Sequence, residues 1–114
     1  MPHCIIEYSK DLSFNLDKKI LMKNVFDGCM QINLFSKKDI KVRMKSYEYF
    51  LSGGLEKNFI HINIKILSGR SIDEKKLLAE TVLKEVNKDS FSDISISVEV
   101  NDINKEIYSK IVKN

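Results

Sequence analysis

Apolar and polar residues alternate along four stretches of this chain and recur at three- and four-residue steps along two others. His3 to Tyr8 reads as a strand with Cys4, Ile6 and Tyr8 on one face and His3, Ile5 and Glu7 on the other. Asp39 to Phe50 alternates in the same way, with Ile40, Val42 and Met44 opposite Lys41, Arg43 and Lys45. Phe59 to Leu67 is the clearest strand: Ile60, Ile62, Ile64 and Ile66 line one face, Phe59, His61, Asn63 and Lys65 the other. Ile94 to Val100 places Ile94, Ile96, Val98 and Val100 inward and Ser95, Ser97 and Glu99 outward. From about Asn15 the period lengthens, and Leu16, Ile20, Met22 or Lys23, Phe26 and Met30 predict an amphipathic helix that stops near Gly28. Ser71-Ile72-Asp73-Glu74 has the form of a capping box and predicts a second helix to about Lys88. Its inner side carries Leu77, Leu78, Thr81, Val82, Glu85 and Val86.

Between these elements lie a polar turn at Ser9 to Ser13, a connection at Gln31 to Lys38 anchored by Leu34 and Phe35, and breaks at Ser52-Gly53-Gly54 and Ser68-Gly69-Arg70. Asn101 to Asn114 is a polar tail with a few apolar residues, read as a short helix that docks elsewhere. The order is β-α-β followed by β-α-β. It predicts an α+β fold, a four-stranded mixed sheet with two helices on one face. The other face carries His61, Asn63, Lys65, Ser95, Ser97 and Glu99 and is too polar for a second helical layer. If strands one and three are the central strands of the two halves, the expectation is that they run parallel. That arrangement does not by itself bring the chain's start to Arg70.

At 114 residues the chain suits a single domain over residues 1–114, and 43% hydrophobic residues are enough for a core. A net charge of +3 suits an anionic small molecule and is too small to argue for nucleic acid. The strand at Phe59 also lacks the aromatic pattern of an RNA-binding sheet. With no secretory-type leader and no apolar run of spanning length, the expected location is cytoplasmic, away from membranes. Cys4 and Cys29 have no metal-type spacing and read as buried free thiols, and no metal or cofactor is expected.

Candidate chemistry begins at Pro2, the single proline. If Met1 is removed, Pro2 offers a free secondary amine at the mouth of a strand, and such an amine acts as a base near neutral pH. Met-Pro alone is a common beginning. Only two of the cations are arginines, Arg43 and Arg70. Taken alone, Arg70 reads as an exposed residue before a helix, and Lys41, Arg43 and Lys45 as a solvated strand face. His3 and His61 read as structural histidines, and Tyr47, Tyr49 and Phe50 as packing or pocket wall.

Two blocks change that weighting. Pro2-His3-Cys4-Ile5-Ile6-Glu7-Tyr8-Ser9 resembles the opening of the 5-carboxymethyl-2-hydroxymuconate Δ-isomerase family of the tautomerase superfamily, which has the macrophage migration inhibitory factor-like fold. Phe59-Ile60-His61-Ile62-Asn63-Ile64-Lys65-Ile66, leading to Gly69-Arg70-Ser71, is similar to that family's second signature, and length and element order agree. The resemblance implies a homotrimer of β-α-β-β-α-β subunits with Pro2 as catalytic base in a pocket shared between subunits. It implies Arg70 as a substrate-binding arginine. A second arginine belongs to an Ile-Arg-x-Arg run, where this chain has Ile40-Lys41-Val42-Arg43. Arg43 matches, whereas Lys41 keeps the charge but not bidentate carboxylate recognition. The implied activity is a proton shift in an unsaturated, carboxylated 2-hydroxydienoate or keto/enol acid, conditional on loss of Met1. The alternative is a non-catalytic trimeric member that binds a ligand or a protein.

Overall fold

The computed structural model describes residues 1–14 and 16–114. Six main elements follow in the order β1 (His3–Ser9), α1 (Lys18–Gln31), β2 (Lys41–Tyr47), β3 (Asn58–Leu67), α2 (Ile72–Val86) and β4 (Ile94–Ile103), with short 3-10 turns at Lys10–Phe14, Lys37–Asp39 and Lys105–Ile107. The four strands form one mixed sheet in the order β2-β1-β3-β4. Each β-α-β unit closes a parallel pair, β1 with β2 and β3 with β4. The two units join back to back, because β1 and β3 are antiparallel, with Ile6 opposite Ile62 and Cys4 opposite Ile64.

That joint corrects the expectation of parallel central strands. Parallel β1 and β3 would place the start of β1 and the end of β3 at opposite ends of the sheet. The antiparallel register sets His3 opposite Lys65, so the start of β1 lies beside the end of β3. Because β2 follows β1 and β4 follows β3, the start of β2 and the end of β4 come to the same end. Four chain segments distant in sequence therefore converge there.

The alternation predicted for the strands holds. Cys4, Ile6, Ile60, Ile62, Ile64 and Ile66 are buried against Leu21, Val25, Cys29, Leu78, Val82 and Val86 of the two helices. Cys4 and Cys29 are free, as expected, with their sulfurs 3.6 Å apart. The hydrogen bond between them, together with burial, pushes the Cys29 thiol far up from its ordinary pKa and keeps it protonated. The capping box forms as predicted: the Ser71 hydroxyl accepts from the Glu74 amide at 3.1 Å, and the Glu74 carboxylate accepts from the Ser71 amide at 2.9 Å.

Several boundaries differ from the pattern. Asn15, where the period began, lies outside the described residues, and α1 is capped by the Asp17 carboxylate, which accepts from the Lys19 and Ile20 amides. The helix runs through Gly28 to Gln31 and stops at Asn33, whose φ of 56° is the left-handed turn that ends helices. Its inner residues are Leu21, Val25 and Cys29, while Ile20 and Lys23 face outward and Met22, Phe26 and Met30 flank the core. In α2, Leu78, Val82, Glu85 and Val86 are buried as expected, but Leu77 is exposed. The tail is a single 3-10 turn followed by chain without regular structure, and β4 continues three residues past Val100. Among the described residues no helix is long and apolar enough to cross a membrane.

Gly28 is where the two helices touch. A Cβ built on it would stand 2.9 Å from the Val82 Cα and 3.0 Å from its Cγ2, and the first of these is backbone that cannot swing aside. Overpacking costs about 1–3 kcal/mol, and contact with backbone puts Gly28→Ala in the upper part of that range, so after the gain of about 1 kcal/mol in helix propensity it should destabilise the protein by about 1–2 kcal/mol. Urea denaturation followed by circular dichroism checks it, and an unchanged or higher midpoint contradicts the close approach.

Candidate active site

The end of the sheet where the four segments meet holds a cavity of about 490 Å³. Met1 lines it from the start of β1, and Leu34, Phe35, Ser36 and Asp39 from the connection before β2. Ile66, Leu67 and Arg70 come from the end of β3 and the turn after it, and Tyr108 and Lys110 from the tail. The size suits a small organic acid. Its lining joins an apolar wall to two side-chain cations and the chain's own amine.

Arg70 is set in place by the turn that separates β3 from α2. Gly69 takes a φ of 117°, which a residue with a Cβ would adopt only under strain. The Ser68 amide then donates to the Ile103 carbonyl at 2.8 Å, tying the turn to the end of β4. The guanidinium donates to the Leu34 carbonyl at 3.0 Å and stands 3.8 Å from the Glu74 carboxylate. The side chain is 40% exposed, so it retains N–H groups for an anion.

The N-terminus is held by backbone. The Met1 amine donates to the Asp39 carbonyl at 3.0 Å, and the Lys41 amide donates to the Pro2 carbonyl at the same distance. Pro2 itself is buried beneath Met1. Burial and then Lys110 hold the Met1 amine below its ordinary pKa; Asp39 opposes them, and Lys41 adds a weaker lowering. The environment at this terminus thus favours a neutral amine.

The second-strand cations separate. Lys41 reaches the rim, its ammonium 3.4 Å from the same Asp39 carbonyl that accepts from the amine. Arg43 points to the open face of the sheet, where its Nη1 donates to His3 Nδ1 at 3.1 Å. An arginine donor obliges Nδ1 to accept, so the neutral imidazole carries its proton on Nε2 and donates to the Tyr108 hydroxyl at 3.0 Å. Burial first, and then Arg43, hold the His3 pKa below its usual value. His61 lies on the open face between Ser97 at 2.6 Å and Glu99 at 3.1 Å, in the structural role expected of it. Tyr47, Phe50 and Phe59 wall a separate hollow at the opposite end of the sheet, where the Tyr47 hydroxyl donates to Glu7.

Of the four residues singled out in the sequence, Arg70 lines the cavity; Pro2 is buried next to Met1, which lines it too, and Lys41 touches the site only through the carbonyl of the lining residue Asp39. Arg43 stands apart. Lys110 and Tyr108 were missed, because they lie in a stretch without periodicity and join the site only through the strand directions. The ion pair of Lys110 with the Asp39 carboxylate, at 3.0 Å, anchors the tail over the N-terminus. The Lys110 hydrogen bond is the main reason that the Asp39 carboxyl titrates below its usual range.

Two β-α-β units joined through antiparallel central strands, with two helices on one face and the N-terminus in a cationic hollow, define a protein of the tautomerase fold. The chain belongs to the 5-carboxymethyl-2-hydroxymuconate isomerase family, whose members it matches over residues 2–112. Solved structures agree in fold. A 5-carboxymethyl-2-hydroxymuconate isomerase from Deinococcus radiodurans R1 superposes with a TM-score of 0.78 at 20% identity, covering 98% of this chain and 90% of that one. A 5-carboxymethyl-2-hydroxymuconate delta-isomerase gives 0.77 at 18% identity, covering 100% and 89%. A fused 4-OT wild type symmetric trimer gives 0.70 at 16% identity, covering 90% and 86%. No curated protein sequence matches the chain at a significant level.

Proposed function

We propose that this isomerase-family protein moves a proton within an unsaturated, carboxylated keto/enol acid or 2-hydroxydienoate, with the secondary amine of Pro2 as the base once Met1 is removed. The observation that carries this reading is the shared cavity: Met1, whose loss would bare the Pro2 nitrogen, and Arg70 line the same hollow, together with an apolar wall. A proton shift through a dienol needs one base that takes a proton from one atom and returns it to another. It also needs a cation that holds the carboxylate and stabilises the dienolate charge, which is the role assigned to Arg70. Lys41 at the rim adds positive charge near the base. No cofactor takes part in this scheme.

The protein is proposed to work as a homotrimer, in line with the symmetric trimer formed by one protein of this fold. In such an assembly Arg43, on the exposed edge strand β2 and outside its own cavity, is available to a neighbouring subunit's site. Residues 1–114 act in this scheme as one tautomerase-like domain in the cytoplasm.

A second reading, a non-catalytic trimeric binding member, draws on one observation: with Met1 in place the Pro2 nitrogen is an amide and its ring is buried. The mature N-terminus decides between the two. Intact-mass spectrometry of the native protein should show a chain lighter by one methionine. A retained Met1 would remove the base and leave the binding reading.

A further inference from the structure

The groups on either side of the Met1–Pro2 bond are all engaged with the folded chain. The Met1 amine donates to the Asp39 carbonyl at 3.0 Å, and the Pro2 carbonyl accepts from the Lys41 amide at 3.0 Å. The Pro2 ring is fully buried. The next residue, His3, opens β1, an inner strand, and is paired with Lys41 on one flank and Lys65 on the other. Its ring is held between Arg43 at 3.1 Å and Tyr108 at 3.0 Å. Tyr108 belongs to the C-terminal tail, and the tail's Lys110 pairs at 3.0 Å with the carboxylate of Asp39, the residue whose carbonyl holds the amine. The earliest and latest parts of the chain therefore close over one peptide bond.

An aminopeptidase has to take the terminal amine and the methionine side chain into its own site, with the scissile bond and the residue after it clear of their neighbours. Here that means breaking both 3.0 Å hydrogen bonds, withdrawing Pro2 from the interior and freeing His3 from the sheet and the tail. Such an opening is a local unfolding event, and cleavage proceeds only through the molecules that are open. Pairing on both sides of an inner strand puts this opening well above the fraying of a loose terminus.

We infer that folding closes the Met1–Pro2 bond to aminopeptidases, so that Met1 is removed from the growing or unfolded chain or not at all. The reaction is a hydrolysis. The hydroxyl of water goes to the Met1 carbonyl carbon and its proton to the Pro2 nitrogen, and free methionine leaves. A chain that folds first keeps Met1, and its Pro2 nitrogen stays an amide. The inference goes beyond the proposed isomerase chemistry and holds whether or not Pro2 is the base.

The test compares the folded 114-residue chain, made with Met1 retained by expression under aminopeptidase inhibition, with a synthetic peptide of residues 1–9. Both meet the same purified methionine aminopeptidase in native buffer, and intact mass follows the loss of one methionine. The peptide has the same sequence around the bond, so any difference in rate comes from the fold. The folded chain should lose Met1 at least about 100-fold more slowly than the peptide, because only its open fraction is cleaved. Comparable rates from the two overturn the inference. A folded chain that resists, together with a fully active Pro2→Ala variant, would keep this inference and reject the proline base.

Discussion

Pro2→Ala is expected to lower kcat/KM for the enol-to-ketone conversion of phenylpyruvate, or of a hydroxymuconate, by about 10²-fold. This is the low end of the general-base contribution of about 10²–10⁴. The low end is chosen because alanine, after loss of Met1, still offers a primary amine in the same hollow. What it lacks is the ring that fixes the nitrogen's direction at the mouth of β1. The pH profile carries the same mechanism. A base works in its neutral form, so falling pH silences it by protonation. Burial and the neighbouring Lys110 lower the pKa of the Met1 amine. The scheme expects the Pro2 amine, exposed one residue further along by loss of Met1, to meet the same cations, so the acid limb of kcat/KM should lie below the pKa of an unperturbed prolyl amine. Full activity in Pro2→Ala places the base elsewhere.

Arg70→Ala should reduce kcat/KM by about 10- to 100-fold, matching the loss of about 1.5–3 kcal/mol for a hydrogen bond to a charged group. The fold should be almost unaffected. The guanidinium is partly exposed, its protein partners are one carbonyl and a distant carboxylate, and the Ser71–Glu74 capping box survives the change. Arg70→Lys should fall between the two, because a lysine keeps the charge without the planar fork. Steady-state kinetics and a denaturation curve on the same preparations separate the effects. Unchanged kinetics in Arg70→Ala would remove it from the site, and a collapsed midpoint would reassign it to the scaffold.

How far the sequence could be read differs from element to element. The four strands were legible because each packs one face on the core, fully buried in β1 and β3 and half-buried in β2 and β4, so burial enforces the period of two. The second helix was legible from its start, since Ser71 and Glu74 announce a reciprocal cap. The first helix was legible as a helix and misread at its edges. Gly28 looked like a stop, but at that position the missing Cβ serves a close helix contact, which only the placement of Val82 reveals. The stop belongs to Asn33, whose left-handed turn leaves a weaker trace in composition. Ile20 and Leu21 are adjacent and both apolar, and a one-residue rotation of the helix decides which goes inward.

The candidate site was legible in part for a different reason. Pro2 and Arg70 could be named as candidates from two local blocks, but the approach of the chain's start to Arg70 depends on whether β1 and β3 run parallel or antiparallel, and no residue pattern within either strand encodes that. Lys110 was out of reach for the same cause. Its partner Asp39 lies far from it in sequence, and the two are brought together by the direction of β4, which ends at the same side of the sheet as the start of β2.

The antiparallel joint between the two halves also bears on how the chain reaches this state. β1 is an inner strand, yet its neighbour β3 is synthesised only after α1 and β2. Until then the first half holds a strand with one edge unpaired, a template for pairing with another chain. Joining β1 to β3 closes a long loop, the kind of late, non-local event that slows folding and leaves intermediates open to aggregation. Substitutions that weaken the contact between Ile6 and Ile62 should then show their effect first in soluble yield, during synthesis, before any loss is visible in the finished protein.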